Sequence, residues 1–160
     1  METTKMGEIY GVIANKVNDI IPDKWEKIYL YGEVLDDSRE VYFYFKSLTS
    51  KDLVYGHDIP IIYNVDKRMY RQLLRELISS IVDLYNEYKD NNESVWTNLT
   101  FLLDNTGKFN IKYNYDDVLK SEFTATERQI IWEYEILGVE PEVQQYKDMI
   151  NKYLESKNNA

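Results

Sequence analysis

The side chains that most often carry out catalysis are sparse in this sequence, and the only histidine is His57. Hydrolytic triads pair a histidine with a nucleophile, and imidazole metal sites need several histidines or carboxylates at matched spacing. His57 stands between Gly56 and Asp58 in a segment that we expect to be bent, which favours a structural or solvated role. Cysteine is absent, which excludes thiolate nucleophiles and sulfur-ligated zinc. The six glycines form no phosphate-binding motif.

The adjacent carboxylates Asp116 and Asp117 are the one pair that could suggest acid–base or magnesium chemistry. Neighbours in sequence point in different directions, whereas a two-carboxylate hydrolase needs side chains that converge from separate elements. Roles in capping, at the surface or in partner contact are therefore favoured over catalysis. The sequence predicts a protein that is not an enzyme, with no metal site and no cofactor.

The charge distribution favours a basic protein as the partner. The chain has 28 acidic and 19 basic side chains and a net charge of −9. Binding to nucleic acid depends largely on Lys and Arg at phosphates, so direct nucleic-acid binding is not expected. Acidic residues concentrate between 115 and 142, where they form either a solvated face or a patch that docks a basic protein. The candidate contact residues from this region, called the acidic segment below, are Asp116, Asp117 and Glu122.

A second candidate contact surface is rich in tyrosine, which accounts for 15 of the 23 aromatic side chains. Two neighbouring segments alternate between aliphatic or phenylalanine residues and tyrosines, so their tyrosines should share one face of a sheet. This tyrosine face has the composition of protein interfaces, although another helix could cover it. Its members are Tyr29, Tyr31, Tyr42 and Tyr44.

Hydrophobic periodicity and turn signals predict the elements that position these residues. We expect one α+β domain over residues 1–160, with an antiparallel sheet and the element order α-β-β-β-α-β-β-α-α. The predicted bounds are 4–21 for the first helix, 25–35, 40–48 and 53–65 for the first three strands, 66–88 for the second helix, and 95–103 and 108–115 for the two strands of a hairpin. A third helix runs from a capping box at Thr124 to a stop at Gly138, and a fourth has Pro141 in its first turn. The third strand should lie at an edge because it contains Gly56 and Pro60. Residues 156–160 are expected to form a frayed tail.

The second strand of the predicted hairpin alternates between aromatic or aliphatic residues and polar ones. Phe109, Ile111, Tyr113 and Tyr115 should therefore share a buried face, with Gly107 supplying a positive φ in the preceding turn. Tyr134 of the following helix is also expected in the core. No segment resembles a signal peptide or a membrane span, so we expect a cytoplasmic protein that does not bind membranes.

Two motifs in the second half of the chain resemble the YezG-like antitoxin family. The first is G-K-F-x-I-x-Y-x-Y-D-D at 107–117, and the second is W-x-Y-x-x-L-G at 132–138. Further similarity lies in Trp96-Thr97, Glu127-Arg128 and Pro141. Together the two motifs are fairly specific, and the likeness extends over nearly the whole chain in length and element order.

The resemblance implies an immunity protein that binds and neutralises the nuclease domain of a secreted bacterial toxin, of the kind exported by type VII secretion. Active-site occlusion, remote binding and toxin distortion remain open as modes of inhibition, and the oligomeric state is undetermined. The alternative from another functional class is a structural or scaffold protein that self-associates through the tyrosine face and has no toxin partner.

Overall fold

A computed structural model describes residues 2–159 and contains a five-stranded antiparallel sheet of order β3-β2-β1-β4-β5. The elements are α1 (Thr4–Ile20), β1 (Trp25–Val34), β2 (Arg39–Ser47), β3 (Leu53–Tyr55), α2 (Ile59–Ile62), α3 (Lys67–Asn91), β4 (Asn98–Asp104), β5 (Phe109–Asn114), α4 (Ala125–Trp132) and α5 (Gln144–Asn158). This architecture confirms the α+β class and the predicted order, with the short helix α2 added before α3.

The chain forms two compact units, one ending at Asp116 and the other beginning at Asp117. In the first unit, α1, α3 and one face of the sheet share a hydrophobic core. Strand β1 lies at the centre, with Leu30 opposite Phe43 of β2 and Phe101 of β4. All three side chains are buried in this core. That one domain spans residues 1–160 stays a prediction, and residues 1 and 160 lie outside the described residues.

The predicted third strand is wrong beyond Tyr55. The chain instead makes a 3-10 turn at Gly56–Asp58 and the single-turn helix α2. Pro60 lies in the first turn of α2, where proline is tolerated because no backbone N–H is needed for a helical hydrogen bond. Ile59 is fully buried and fixes this turn to the core. The predicted edge position holds for the short strand β3.

The β4–β5 hairpin has the predicted turn, with Gly107 at a φ of 90°. Asp104 Oδ1 accepts hydrogen bonds from the backbone N–H groups of Thr106 and Lys108, at 2.9 and 3.1 Å. The predicted burial is wrong at both ends of the second strand, because Phe109 and Tyr115 are each about half exposed. Strand β5 is a sheet edge, and Tyr115 lies just beyond its last residue, Asn114.

The second unit contains a 3-10 turn at Val118–Lys120, followed by α4, one π-helical turn at Glu133–Leu137, and α5. The predicted capping box is present: Thr124 Oγ1 accepts from the Glu127 N–H at 3.2 Å, and Glu127 Oε1 accepts from the Thr124 N–H at 2.9 Å. Gly138 ends the π turn in the left-handed region, as predicted. Ile131, Met149 and Ile150 form the centre of a small core.

Two boundaries in this unit differ from the predicted ones. Helix α5 begins only at Gln144, because Val143 has an extended backbone, so Pro141 precedes the helix and does not lie in its first turn. At the other end, α5 continues through Asn158 and includes three residues of the predicted frayed tail. Residue 160 of that tail lies outside the described residues.

Candidate interaction surface

The strand pairing places the four tyrosines of the tyrosine face together, on the side of the sheet opposite the helical core. Tyr29 is directly opposite Tyr44, and Tyr31 is directly opposite Tyr42. The rings of Tyr31 and Tyr42 stack with centroids 4.7 Å apart. Because residues that face each other across antiparallel strands share one side of the sheet, the predicted grouping is confirmed.

Sequence reasoning missed a fifth member of this face. Tyr55 of β3 pairs with Tyr44, and the two rings stack at 4.9 Å. Tyr55 falls inside the predicted edge strand 53–65, whose register with the second strand the sequence does not define. The sequence signal that could have identified this strand is the short run Leu53-Val54-Tyr55, which ends at Gly56.

The tyrosine face is far less exposed than the alternation alone suggests. Tyr31, Tyr42 and Tyr44 are between 4% and 8% exposed, whereas Tyr29 and Tyr55 are half-buried. Stacking of neighbouring rings contributes to this burial, since each ring covers part of the next. Contact of these tyrosines with a partner stays a prediction, and it would require the three buried rings to become accessible.

A buried carboxylate lies beside these rings. Glu33 is buried, and its Oε1 accepts a hydrogen bond of 2.7 Å from the Tyr31 hydroxyl. Hydrogen bonding offsets part of the free energy needed to bury a carboxylate. Burial raises the pKa of Tyr42 above its ordinary value, and nearby tyrosines and carboxylates act in the same direction. The Tyr42 hydroxyl therefore remains protonated at neutral pH.

Asp116, the last residue of the first unit, has an exposed side chain on a fixed backbone. Its N–H donates to Asn114 Oδ1 at 2.8 Å, and its carbonyl oxygen accepts from Thr97 Oγ1 at 2.7 Å. Within residues 2–159 its carboxylate has no hydrogen bond or ion pair. Asp116 therefore presents a free negative charge at a defined position.

Asp117 and Glu122, both in the second unit, are already engaged with other groups. The Asp117 carboxylate accepts from the Leu119 N–H at 3.2 Å and lies 4.0 Å from Lys120 Nζ. Glu122 lies 3.7 Å from Lys152 Nζ. Both pairs are largely exposed, so water and salt screen them and each contributes little to stability. Both carboxylates remain accessible to a partner.

The remaining candidate groups for chemistry have structural surroundings. His57 Nδ1 lies 2.9 Å from the Tyr70 hydroxyl oxygen, and burial lowers the pKa of the imidazole. Asp23 accepts hydrogen bonds from Tyr63 and Ser47, and the bond from Tyr63 is the main reason that the Asp23 pKa is lowered. Among the described residues, no cluster of His, Asp and Glu side chains is arranged to hold a metal ion. The same part of the chain contains no helix that could cross a bilayer.

Comparison with known proteins identifies the family. A family model described as "Immunity protein YezG-like" matches residues 6–151. The chain is 46% identical to Immunity protein YezG of Bacillus spizizenii over 156 residues, which cover 98% of this chain and 97% of that protein. It is 48% identical to Immunity protein YezG of Bacillus subtilis over 149 residues, covering 93% and 99% of the two chains.

A more distant relative comes from Staphylococcus aureus. The chain is 31% identical to its type VII secretion system protein EsaG over 140 residues, which cover 88% of this chain and 86% of EsaG. The family model spans both motifs that the sequence shares with YezG-like proteins. The chain is therefore a member of the YezG-like immunity protein family.

Proposed function

We propose that this protein neutralises a secreted nuclease toxin by forming a stoichiometric complex with it in the bacterial cytoplasm. Membership of the YezG-like immunity family carries the proposal. The likeness to a type VII secretion system protein supports a toxin exported by that route. In this role the chain is a binding protein, and its target is a DNase domain.

Electrostatics support a nuclease as the target. A nuclease binds phosphates and so presents a basic cleft, and a chain with a net charge of −9 is attracted to such a surface. Opposite charges at an interface chiefly accelerate association and fix the orientation of the partners. The isolated chain, in contrast, is repelled by nucleic acid, so its partner is the nuclease itself.

The acidic segment supplies the contact residues that are accessible in the chain alone. Asp116 is the strongest candidate because no described group neutralises its carboxylate, whereas Asp117 and Glu122 have cationic neighbours. Tyr29 and Tyr55 are the more accessible members of the tyrosine face. Tyr31, Tyr42 and Tyr44 act as aromatic anchors only if binding to the toxin uncovers them.

A protection assay tests this proposal. The cognate nuclease domain is expressed from an inducible promoter in a host that lacks other immunity proteins, with and without this chain. We expect growth and intact chromosomal DNA only when the chain is present, and recovery of both proteins as one complex. DNA degradation despite abundant folded chain would refute the proposal.

A further inference from the structure

The first unit has a largely exposed segment, residues 61–71, that contains both apolar and basic side chains. Ile61, Ile62 and Met69 are 78%, 56% and 60% exposed. Lys67, Arg68 and Arg71 follow α2 along the chain, and all three are exposed. Within residues 2–159 none of these three cations forms an ion pair. These six residues are called the basic–apolar surface below.

Helix stability does not explain the cations of this surface. They lie in the first turns of α3, where the positive end of the helix macrodipole disfavours positive charge. The first turn contains no acidic residue, and the N-cap Asp66 is already engaged by the N–H groups of Arg68 and Met69, at 2.8 and 3.0 Å. Exposed apolar patches rimmed by polar residues mark interaction sites, and cations without an ion-pair partner favour a partner of opposite charge.

The second unit has a loop of the complementary chemistry at residues 138–143. Val139 and Val143 are 42% and 55% exposed. Glu140 and Glu142 are also exposed, and in the described part of the chain neither carboxylate has an ion-pair partner. Gly138 at a φ of 70° and the ring of Pro141 restrict the backbone. This segment is called the acidic–apolar loop below.

A cavity beside the acidic–apolar loop can receive an apolar side chain. Its volume is about 210 Å³, and it is lined by the apolar residues Pro141, Ile150 and Leu154 together with Tyr134, Glu140, Lys147 and Asn151. An aliphatic side chain that enters such a cavity leaves water, while a cation beside it can reach the carboxylates. The loop thus combines exposed carboxylates with a cavity for an apolar side chain, and these are the two features that the basic–apolar surface requires of a partner.

We propose that the basic–apolar surface of one copy binds the acidic–apolar loop of a second copy of this chain. Nucleic acid would satisfy the cations but offers no apolar cavity to the exposed isoleucines. Anionic lipid offers apolar volume, but its surface is uniformly negative, whereas a second copy carries 19 basic side chains among its 28 acidic ones. Two copies repel each other mainly through charges outside the contact, which are screened beyond about 8 Å at physiological ionic strength.

Charge exchange between the two surfaces tests the proposal without any toxin. Sedimentation equilibrium over a wide range of protein concentration should show wild-type chain moving from its monomer mass of 19.2 kDa toward multiples of that mass, since a contact between two different surfaces forms closed rings or open chains. We expect the variants Arg68→Glu/Arg71→Glu and Glu140→Lys/Glu142→Lys to remain monomeric when alone. An equimolar mixture of the two variants, and a single chain with all four substitutions, should associate again because opposite charges face each other.

Two controls carry charge changes of the same kind at exposed sites outside both surfaces. Lys89→Glu lies in the last turn of α3 and Glu155→Lys lies in α5, and both should associate like the wild type. A wild-type chain that stays monomeric at every concentration would overturn the proposal, as would variants that associate normally.

Two probes test whether the basic–apolar surface binds nucleic acid or lipid instead: a double-stranded DNA oligonucleotide and vesicles containing phosphatidylserine. If either binds the wild type and loses binding with Arg68→Glu/Arg71→Glu, while no self-association is seen, the surface has a different partner and the proposal fails. The protection assay described above is independent of these results. Failure of self-association therefore leaves the toxin-neutralising function standing, and the reverse also holds.

Discussion

At the scale of single residues, close packing around Phe43 determines how β3 leads into α2. Phe43 is fully buried in the sheet, and Gly56 lies directly against its ring. A Cβ atom at position 56 would come within 2.6 to 2.8 Å of three ring carbons of Phe43. The ring is enclosed by the core and has little space to move, so the position requires glycine for steric reasons.

We predict that Gly56→Ala lowers the free energy of unfolding by about 1–3 kcal/mol, the usual effect of overpacking a core. Gly11→Ala is the matched control, since a Cβ there meets no atom within 4 Å and alanine is favoured in a helix by about 0.5–1 kcal/mol. Urea unfolding followed by tryptophan fluorescence measures both changes. Equal stabilities for the two variants would contradict the packing account.

Asp116 provides a residue-scale prediction about toxin binding. Asp116→Lys should slow association with the nuclease domain more than Glu122→Lys does, because within residues 2–159 the Glu122 carboxylate has an ion-pair partner and the Asp116 carboxylate has none. Glu122 already lies 3.7 Å from Lys152 Nζ, so part of its field is neutralised before the toxin arrives. Surface plasmon resonance at low and physiological salt gives both association rates. A larger effect for Glu122→Lys would show that the free carboxylate does not steer binding.

At the scale of elements, α3 has an unfavourable charge distribution at its start and a favourable one at its end. Its first two residues are Lys67 and Arg68, whereas Lys89 lies in the last turn. The macrodipole disfavours cations at the first position and favours them at the last. The basic residues at the start therefore reduce the stability of the helix.

We predict opposite effects for two identical substitutions in this helix. Lys67→Glu should raise the free energy of unfolding and Lys89→Glu should lower it, each by about 0.3–1 kcal/mol at low ionic strength. Both change the net charge by the same amount, so a general charge effect would move them in the same direction. Thermal unfolding at low and high salt compares them, and shifts of equal sign would refute the dipole explanation.

The elements also differ in how well their sequence predicts them. Helix α3 and the β4–β5 hairpin follow from strong local signals: an apolar stripe with a capping aspartate, and a turn that ends in Gly107. The segment after β3 does not follow from local signals, because Gly56 and Pro60 are also compatible with a bent strand. Only the fit of Gly56 to Phe43 and the burial of Ile59 select a helical turn. Those two constraints come from residues distant in sequence.

The candidate site shows the same division between local and tertiary information. Alternation in β1 and β2 correctly places four tyrosines on one face, because side-chain direction is a local property of strands. Their burial depends on packing that no single strand encodes, and so the sequence overestimates their exposure. Asp116 and Asp117 are exposed as expected, but only the structure reveals that one carboxylate is free and the other caps a 3-10 turn.

At the scale of the whole molecule, the prediction of one domain over residues 1–160 can be tested by its cooperativity. Thr124→Ala removes the capping box of α4 in the second unit and should cost about 1 kcal/mol. If the chain unfolds as one domain, this variant and Gly56→Ala in the first unit will lower the midpoint of the same single calorimetric transition. Two transitions, each shifted by only one variant, would contradict the single-domain prediction.

Titration shows whether this chain neutralises a nuclease by binding it. A fixed concentration of the cognate nuclease domain, well above the dissociation constant, is mixed with increasing amounts of chain, and the cleavage of plasmid DNA is measured. We predict that activity falls linearly and reaches zero at a fixed molar ratio of chain to toxin. Inactivation of a large excess of toxin by trace amounts of chain would indicate catalysis, and full nuclease activity at saturating chain would show that no inhibitory complex forms.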